Sequence, residues 1–367
     1  MFARGLGISC PWKIVNFEFV DGEVHIHVDF ERGARFDGHS VHDTCDRVWR
    51  HLNFFKYACY IHARVPRVRG EDGKVRTVPV PWGRVGSGFT LDFEALAVRL
   101  MTQMPVKAVA RELGVADTRL WRVLNSFICR SRVGLDLSKL CRVGVDETAA
   151  RRGHNYITVF ADLDERRTIF ACEGRSSVAL AQFRRFLEGH QVPNEQIREF
   201  TCDMSPAYLS GIEQAFPNAR ITLDKYHLVA MINRAVDFTR RDETATFRNL
   251  RKTRYLWLRN PESLSAAQKL QLRAFMLDYG FSMTANAYAL RLQFQDIFHA
   301  NQRVATKLFD AWLDNALESE NQHIARVAES FFRLREQILN WFQTRISNGI
   351  LEGFHSVIQA TKNKARG

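Results

Sequence analysis

No stretch of the chain approaches the roughly 18 consecutive apolar residues that a membrane-crossing helix needs. Cys-x-x-Cys pairs are absent, and the seven cysteines (10, 45, 59, 129, 141, 172 and 202) are odd in number. This excludes a fully paired disulfide framework, gives no support to a zinc finger, and fits a reducing cytoplasm. Met1-Phe2-Ala3-Arg4 runs into Gly-rich rather than long apolar sequence, so no signal peptide is read. Repeats and low-complexity tracts are missing too. Acidic residues are in deficit: 40 Asp and Glu against 52 Lys and Arg leave a net charge of +12 and a pI near 9.6. What is present is apolar bulk, 46% hydrophobic with 27 Phe, which supplies real cores and excludes disorder. A length of 367 residues suggests two or three domains. With arginines clustered, the charge balance points to nucleic acid as partner.

Residues 1–88 read as a β-rich basic domain. Asn16–Val20 and Glu23–Asp29 alternate around Asp21-Gly22, a hairpin turn signal. Arginines and aromatics interleave through Arg47-Val48-Trp49-Arg50 and Ala63-Arg64-Val65-Pro66-Arg67. That pattern suits either phosphate contact or half-buried strands with a basic outer face. Over 89–135 the period becomes helical, with Phe93, Leu96, Ala97 and Leu100 on one face. Pro105–Leu124 has the helix-turn-helix layout: a short amphipathic helix, a turn at Gly114, and a second helix after Ala116-Asp117. Arg111, Thr118, Arg119 and Arg122 are the candidate DNA contacts, the last three on the exposed face of the helix that would enter the major groove. An ordinary helical hairpin would show the same pattern without the crowding of arginines.

Residues 136–232 alternate strand and helix, with strands at 142–146, 155–162, 167–173, 197–203 and 219–224. The first three, separated at Gly153 and Asp162–Arg166, form an antiparallel meander. Helices start at Ser177 and at Ser205-Pro206. Three strands, a helix, a strand, a helix and a strand give the order of a ribonuclease-H-like core. Residues 233–340 read as an all-helical insertion, rich in arginine at its start, and 341–367 as a final core helix. The fold class is therefore α/β multidomain.

Three acidic residues stand where this order gathers chemistry. Asp146 closes Arg142–Asp146, Asp203 closes Ile197–Asp203, and Glu352 lies at the mouth of the last helix. The second gap, 149 residues against 57, is accounted for by the helical insertion. Strand ends collect carboxylates on one sheet edge, and such a cluster repels itself unless it holds cations. Three carboxylates could hold two Mg²⁺ for phosphodiester chemistry on DNA. Each acid alone is more often a helix cap or an ion-pair partner, and Glu147 and Asp162 compete with Asp146.

Val145-Asp146-Glu147 with Arg151–Tyr156, Glu173–Ser176, Cys202–Tyr208, Asp224–His227 and Ser347–Gly353 together resemble the successive blocks of the ISL3 family of insertion-sequence transposases. Trp49–Leu52 and Val65–Val68 resemble its upstream segments, so the likeness covers nearly the whole chain. The resemblance implies a D-D-E transposase with Asp146, Asp203 and Glu352 as catalytic metal ligands for Mg²⁺, Mn²⁺ being able to substitute. It gives Asp224 and His227 an auxiliary role. It implies double-stranded DNA (element terminal repeats and target) as partner, a homo-oligomer on that DNA, a bacterial nucleoid-associated location and no membrane. The family's zinc ligands have no counterpart at Phe36–Ser40 and Gly70–Gly73, which makes residues 1–88 a degenerate zinc ribbon. His39, His42 and Cys45 fall short of the usual four ligands, so no zinc is expected. The sequence stops at Gly367 where relatives continue, which leaves the Glu352 helix expected to lack an outer packing partner. The rival reading is a decayed transposase that binds DNA without cutting it.

Overall fold

The computed structural model describes residues 2–151, 155–174, 177–278, 282–346 and 349–365. The chain divides into two units, Met1–Gly134 with Ala360–Gly367, and Leu135–Gln359.

In the first unit a short helix, α1 (Phe2–Gly5), precedes strands β1 (Trp12–Val20) and β2 (Glu23–Phe30). Asp21 and Gly22 both take positive φ (51° and 77°), the primed-turn geometry that matches strand twist and that Asp-Gly favours. Strands β3 (Arg35–Phe36), β4 (His39–Phe54), β5 (Tyr57–Arg69) and β6 (Val75–Thr77) complete the sheet, in the order β1-β2-β5-β4-β3 with β6 on β5. β2 and β5 run parallel, although each is antiparallel to its hairpin partner. Val24, Ile26, Cys59 and Ile61 line the inner face against Trp12, Trp49 and Trp82, whose rings meet edge-on.

This settles the Arg-aromatic pattern in favour of strands. Arg50 is buried, bonded to the carbonyls of His51 and Cys59, and packed 5.4 Å from the rings of Tyr60 and Phe93. Burial pulls its pKa down. Its backbone also exchanges hydrogen bonds with Gly88 and Thr90, tying the sheet to the helices that follow.

Those helices are α2 (Leu91–Met101), α3 (Val106–Leu113) and α4 (Asp117–Val133). The Thr90 hydroxyl caps α2 by accepting from the N–H of Phe93. Gly114 ends α3 at φ 65°, left-handed backbone that costs glycine little, and the Val115 N–H returns to the Ala110 carbonyl. Ala97, Val109, Ala110 and Leu120 close the centre of the trihelical group. Asp117 opens α4 rather than capping it; Ala116 holds the cap position without a side-chain bond.

The second unit is built on β7 (Arg142–Arg151), β8 (Asn155–Asp162), β9 (Arg167–Glu173), α5 (Ser177–Gly189), β10 (Glu199–Cys202), α6 (Pro206–Ala215) and β11 (Arg220–Leu223). Sheet order is β11-β10-β7-β8-β9, with β8 antiparallel to both neighbours and β10 and β11 parallel to β7. α5 packs Phe183 flat on Phe160 of β8, ring centroids 4.2 Å apart. Such pairs add about 0.5–1.5 kcal/mol beyond area burial.

The chain then turns helical: α7 (Lys225–Glu243), α8 (Arg254–Leu258), α9 (Ala266–Asp278), α10 (Met283–Ile297), α11 (Gln302–Leu317), α12 (Gln322–Arg333), α13 (Arg335–Leu339), α14 (Trp341–Thr344) and α15 (Gly349–Ala365). Its buried aromatics, Trp257, Phe294, Trp312 and Phe331 among them, are continuous with the core of the sheet. Pro261 opens only a single 3₁₀ turn, and the following helix starts at Ala266. The early arginines are partly structural. Asp237, buried in α7, pairs with Arg240 at 2.7 Å, Arg241 at 2.9 Å and Arg254 at 3.4 Å.

Candidate active site

Asp146 does not end its strand. β7 continues to Arg151 because β8 pairs with it that far, whereas the parallel ladder with β10 stops at Gly144 opposite Thr201. Asp146 therefore lies just past the point where β10 leaves β7. Asp203 is the first residue after β10, and Asp224 the first after β11. Three neighbouring strands, β7, β10 and β11, thus deliver three carboxylates to the edge at the C-terminal ends of the parallel strands, where open α/β sheets bind ligands.

Side-chain contacts fix each carboxylate. Asp146 Oδ1 accepts from the Glu147 N–H at 2.7 Å, and Asp203 Oδ1 from the Ser205 N–H at 2.9 Å, opening α6 with Pro206 in its first turn. Asp224 occupies the cap position of α7, yet its side chain makes no capping bond. It is buried, and Nε2 of His227 lies 3.9 Å from its Oδ2.

The electrostatics report the crowding. Burial pushes the Asp146 carboxyl up from its ordinary value; Asp203 adds to this, while the Glu147 N–H, His355 and His227 oppose it. The buried Cys202 thiol is pushed far up, first by burial and then by Asp203, Asp146 and Asp224 together.

The two competing acids have structural duties. Glu147 faces the other side of β7, where it accepts from the Tyr208 hydroxyl at 2.7 Å. Buried Asp162 accepts from the N–H groups of Asp164 and Glu165 and so closes the β8–β9 turn.

Glu352 arrives on α15. That helix buries Leu351 and packs Phe354 and Ile358 on Ile157, Val159 and Ala161 of β8. The Glu352 side chain is exposed, and it lines a cavity of about 640 Å³ with Asp224, Tyr226, Asn260, Asp296 and His299. So Asp146, Asp203 and Asp224 follow three neighbouring strands, and of these acids Asp224 shares the cavity that Glu352 lines. Among the described residues no three His, Cys, Asp or Glu side chains converge tightly enough to share one cation, His39, His42 and Cys45 included. The donor chemistry nonetheless fits a hard divalent ion: carboxylate oxygens, one of them held against its own ionisation by burial and a like charge.

Two residues not anticipated from sequence complete the surroundings. Nδ1 of His355 lies 3.5 Å from Asp146 Oδ2, and Gln359 donates to Thr148 Oγ1 at 2.7 Å and to the Ala149 carbonyl at 3.0 Å. The available signal was spacing: His355 lies three positions and Gln359 seven positions after Glu352, along one helix face. Arg152 to His154, Arg175, Ser176, Ser347 and Asn348, which carry parts of the motif blocks, lie outside the described residues.

A family model described as Transposase, of the ISL3 D-D-E type, matches residues 143–367. A second, described as the helix-turn-helix domain of transposase family ISL3, matches residues 78–128. The chain belongs to the ISL3 family of transposases. It is 24% identical over 348 residues to the transposase for insertion sequence element IS1557 of Mycobacterium tuberculosis, covering 85% of this chain and 76% of that protein. To the transposase for IS1001 of Bordetella parapertussis it is 28% identical over 346 residues, covering 89% and 82%. Membership makes this transposase a DNA-transposition enzyme of a family that uses divalent metal, with a helix-turn-helix suited to DNA. Among its described residues no helix is long and apolar enough to cross a membrane.

The helix-turn-helix gives one of its candidate contacts a partner within the fold. Arg111, Thr118 and Arg122 are exposed as read. Arg119 is exposed too, but its guanidinium bonds the Gly88 carbonyl at 3.2 Å and stacks 4.1 Å over Phe89. It braces the entry to α2 instead of projecting freely.

Proposed function

We propose that this transposase binds the terminal repeats of its own element as double-stranded DNA, hydrolyses the phosphodiester at each 3′ end, and transfers the freed end to target DNA. The observation that carries this reading is the row of Asp146, Asp203 and Asp224 after adjacent strands, with Glu352 of α15 lining a cavity that Asp224 also lines. The sheet order and the single antiparallel strand β8 within it support a ribonuclease-H-like core.

In the first step water forms a new P–O bond and the 3′ oxygen leaves. In the second, that 3′-hydroxyl attacks a target phosphodiester. Asp146, Asp203 and Glu352 would hold the metal, while Asp224 and His227 would flank the site and orient the DNA strand. A divalent cation, Mg²⁺ with Mn²⁺ able to substitute, supplies the positive charge that stabilises the attacking and departing oxygens. Two ends must be cut in concert, so a homo-oligomer acts on the nucleoid DNA.

Full-length protein, end-labelled element DNA and Mg²⁺ on a denaturing gel test the reading. Strand-joined products are expected. Nicked products alone would indicate a nuclease without strand transfer. Salt-dependent binding with no cutting in Mg²⁺ or Mn²⁺ would leave a DNA-binding protein.

DNA contact through α4 has its own signature. Arg122→Ala is expected to weaken end binding and to lower the slope of log affinity against log salt by about one, the loss of one phosphate contact. An unchanged slope removes Arg122 from the phosphate interface. Arg119→Ala is expected to act through the α2 entry, lowering thermal stability as well.

A further inference from the structure

α15 touches the sheet in two different ways. Its apolar residues, Leu351, Phe354 and Ile358, lie on β8, a contact without directional bonds to fix its register. Its polar residues reach β7 at fixed points: His355 to Asp146, and Gln359, one turn later, to Thr148 and Ala149. On the strand these points are two and three residues apart; on the helix they are four, close to one turn. The two contacts therefore set where α15 sits along β7. Glu352 lies one turn before His355 on the same helix.

His355 is a poor choice for stability alone. Its Nε2 is buried and finds no hydrogen-bond partner among the described residues. A buried polar atom left unpaired is destabilising, and an apolar side chain would avoid that cost. Nδ1, by contrast, is turned toward Asp146, 3.5 Å from its Oδ2, a carboxylate whose ionisation burial opposes.

We propose that His355, with Gln359 as its second anchor, is a positioning residue: it fixes the Asp146 carboxylate and the register of α15, and so sets the approach of Glu352 to the Asp146–Asp203 pair. This rests on the reading of those carboxylates as cation ligands. Groups that orient a metal-binding carboxylate from behind commonly change metal affinity or activity by about 10–100-fold when removed.

The test is Mn²⁺ binding to the full-length protein by calorimetry, without DNA, beside thermal melting. His355→Leu is expected to weaken Mn²⁺ binding by about 10–100-fold while the melting temperature holds or rises. His355→Asn, which keeps an N–H donor near the Nδ1 position, restores most of the affinity. Gln359→Met is expected to weaken binding in the same direction, and it carries the test if His355→Leu does not fold. Mn²⁺ affinity at the wild-type level in His355→Leu overturns the proposal, as does a loss that tracks falling stability and is not rescued by Asn. Asp203→Ala serves as the separate control. If it retains Mn²⁺ binding, the carboxylate reading itself fails; if it loses binding while His355→Leu does not, only the positioning role fails.

Discussion

Asp203→Ala is expected to abolish Mg²⁺-dependent cleavage of element-end DNA and to leave gel-shift affinity nearly intact. The loss expected is about 10³-fold, since removing a ligand that organises charge at the reacting oxygens forfeits roughly 4 kcal/mol of barrier lowering. Fold damage is a lesser effect. Asp203 is only partly buried, and it accepts a hydrogen bond from the Ser205 N–H. Removing an acceptor of that kind costs about 1 kcal/mol of helix stability. Asp203→Asn separates the two contributions, because the amide oxygen can still accept from Ser205 while the charge is gone. Equal loss of cleavage in both variants, with only the alanine form slightly less stable, is the expected pattern. Cleavage retained in either would take Asp203 out of the chemistry. DNA affinity should survive because the exposed basic residues of α4, the proposed contacts to phosphate, are distant in sequence from Asp203.

Much of this architecture can be read from residue pattern, and the misses share a cause. The strands at 155–162 and 167–173 coincide with β8 and β9, since alternation and turn residues bound them on both sides. β7 looks shorter in sequence than it is, because its apolar run ends at Val145 while pairing with β8 carries on through polar residues. A strand's pattern reports which face is buried, not how long its partner is. The parallel pairing of β2 with β5 is invisible for the same reason.

At the site, Asp146 and Asp203 stand out in sequence because each closes a strand-like segment. Asp224 is seen only as part of a motif, since an acid before a helix reads as a cap; burial without a capping bond shows otherwise. His355 and Arg119 escape for a common reason. Helical periodicity tells which side a residue occupies, and both roles depend on a partner brought close by the fold, Asp146 in one case and Gly88 with Phe89 in the other.

Asp237→Ala is expected to be the most destabilising single change in the helical region, by about 3–5 kcal/mol. Asp237 sits in α7 where that helix packs against α10 and α12, and its carboxylate is almost fully enclosed. Of its three arginine partners, Arg241 and Arg254 have about half of their side chains in water and can turn outward when the acid is lost. Arg240 cannot. Its side chain is 9% exposed, and besides Asp237 its guanidinium donates to the Leu250 carbonyl. Deleting Asp237 therefore strands a buried positive charge, which costs far more than the pair contributes relative to apolar residues of similar size. For a unit of this length the melting temperature should fall by roughly 10 °C. The double variant Asp237→Ala with Arg240→Met removes both charges and is expected to regain most of the loss. Recovery in the double variant identifies the stranded guanidinium as the cause; equal instability in both would mean that Asp237 acts through Arg241 and Arg254, and so through the surface. Because the core of this region is continuous with that of the sheet, the single variant should also lower cleavage at elevated temperature, whereas the double variant should cut at the wild-type rate.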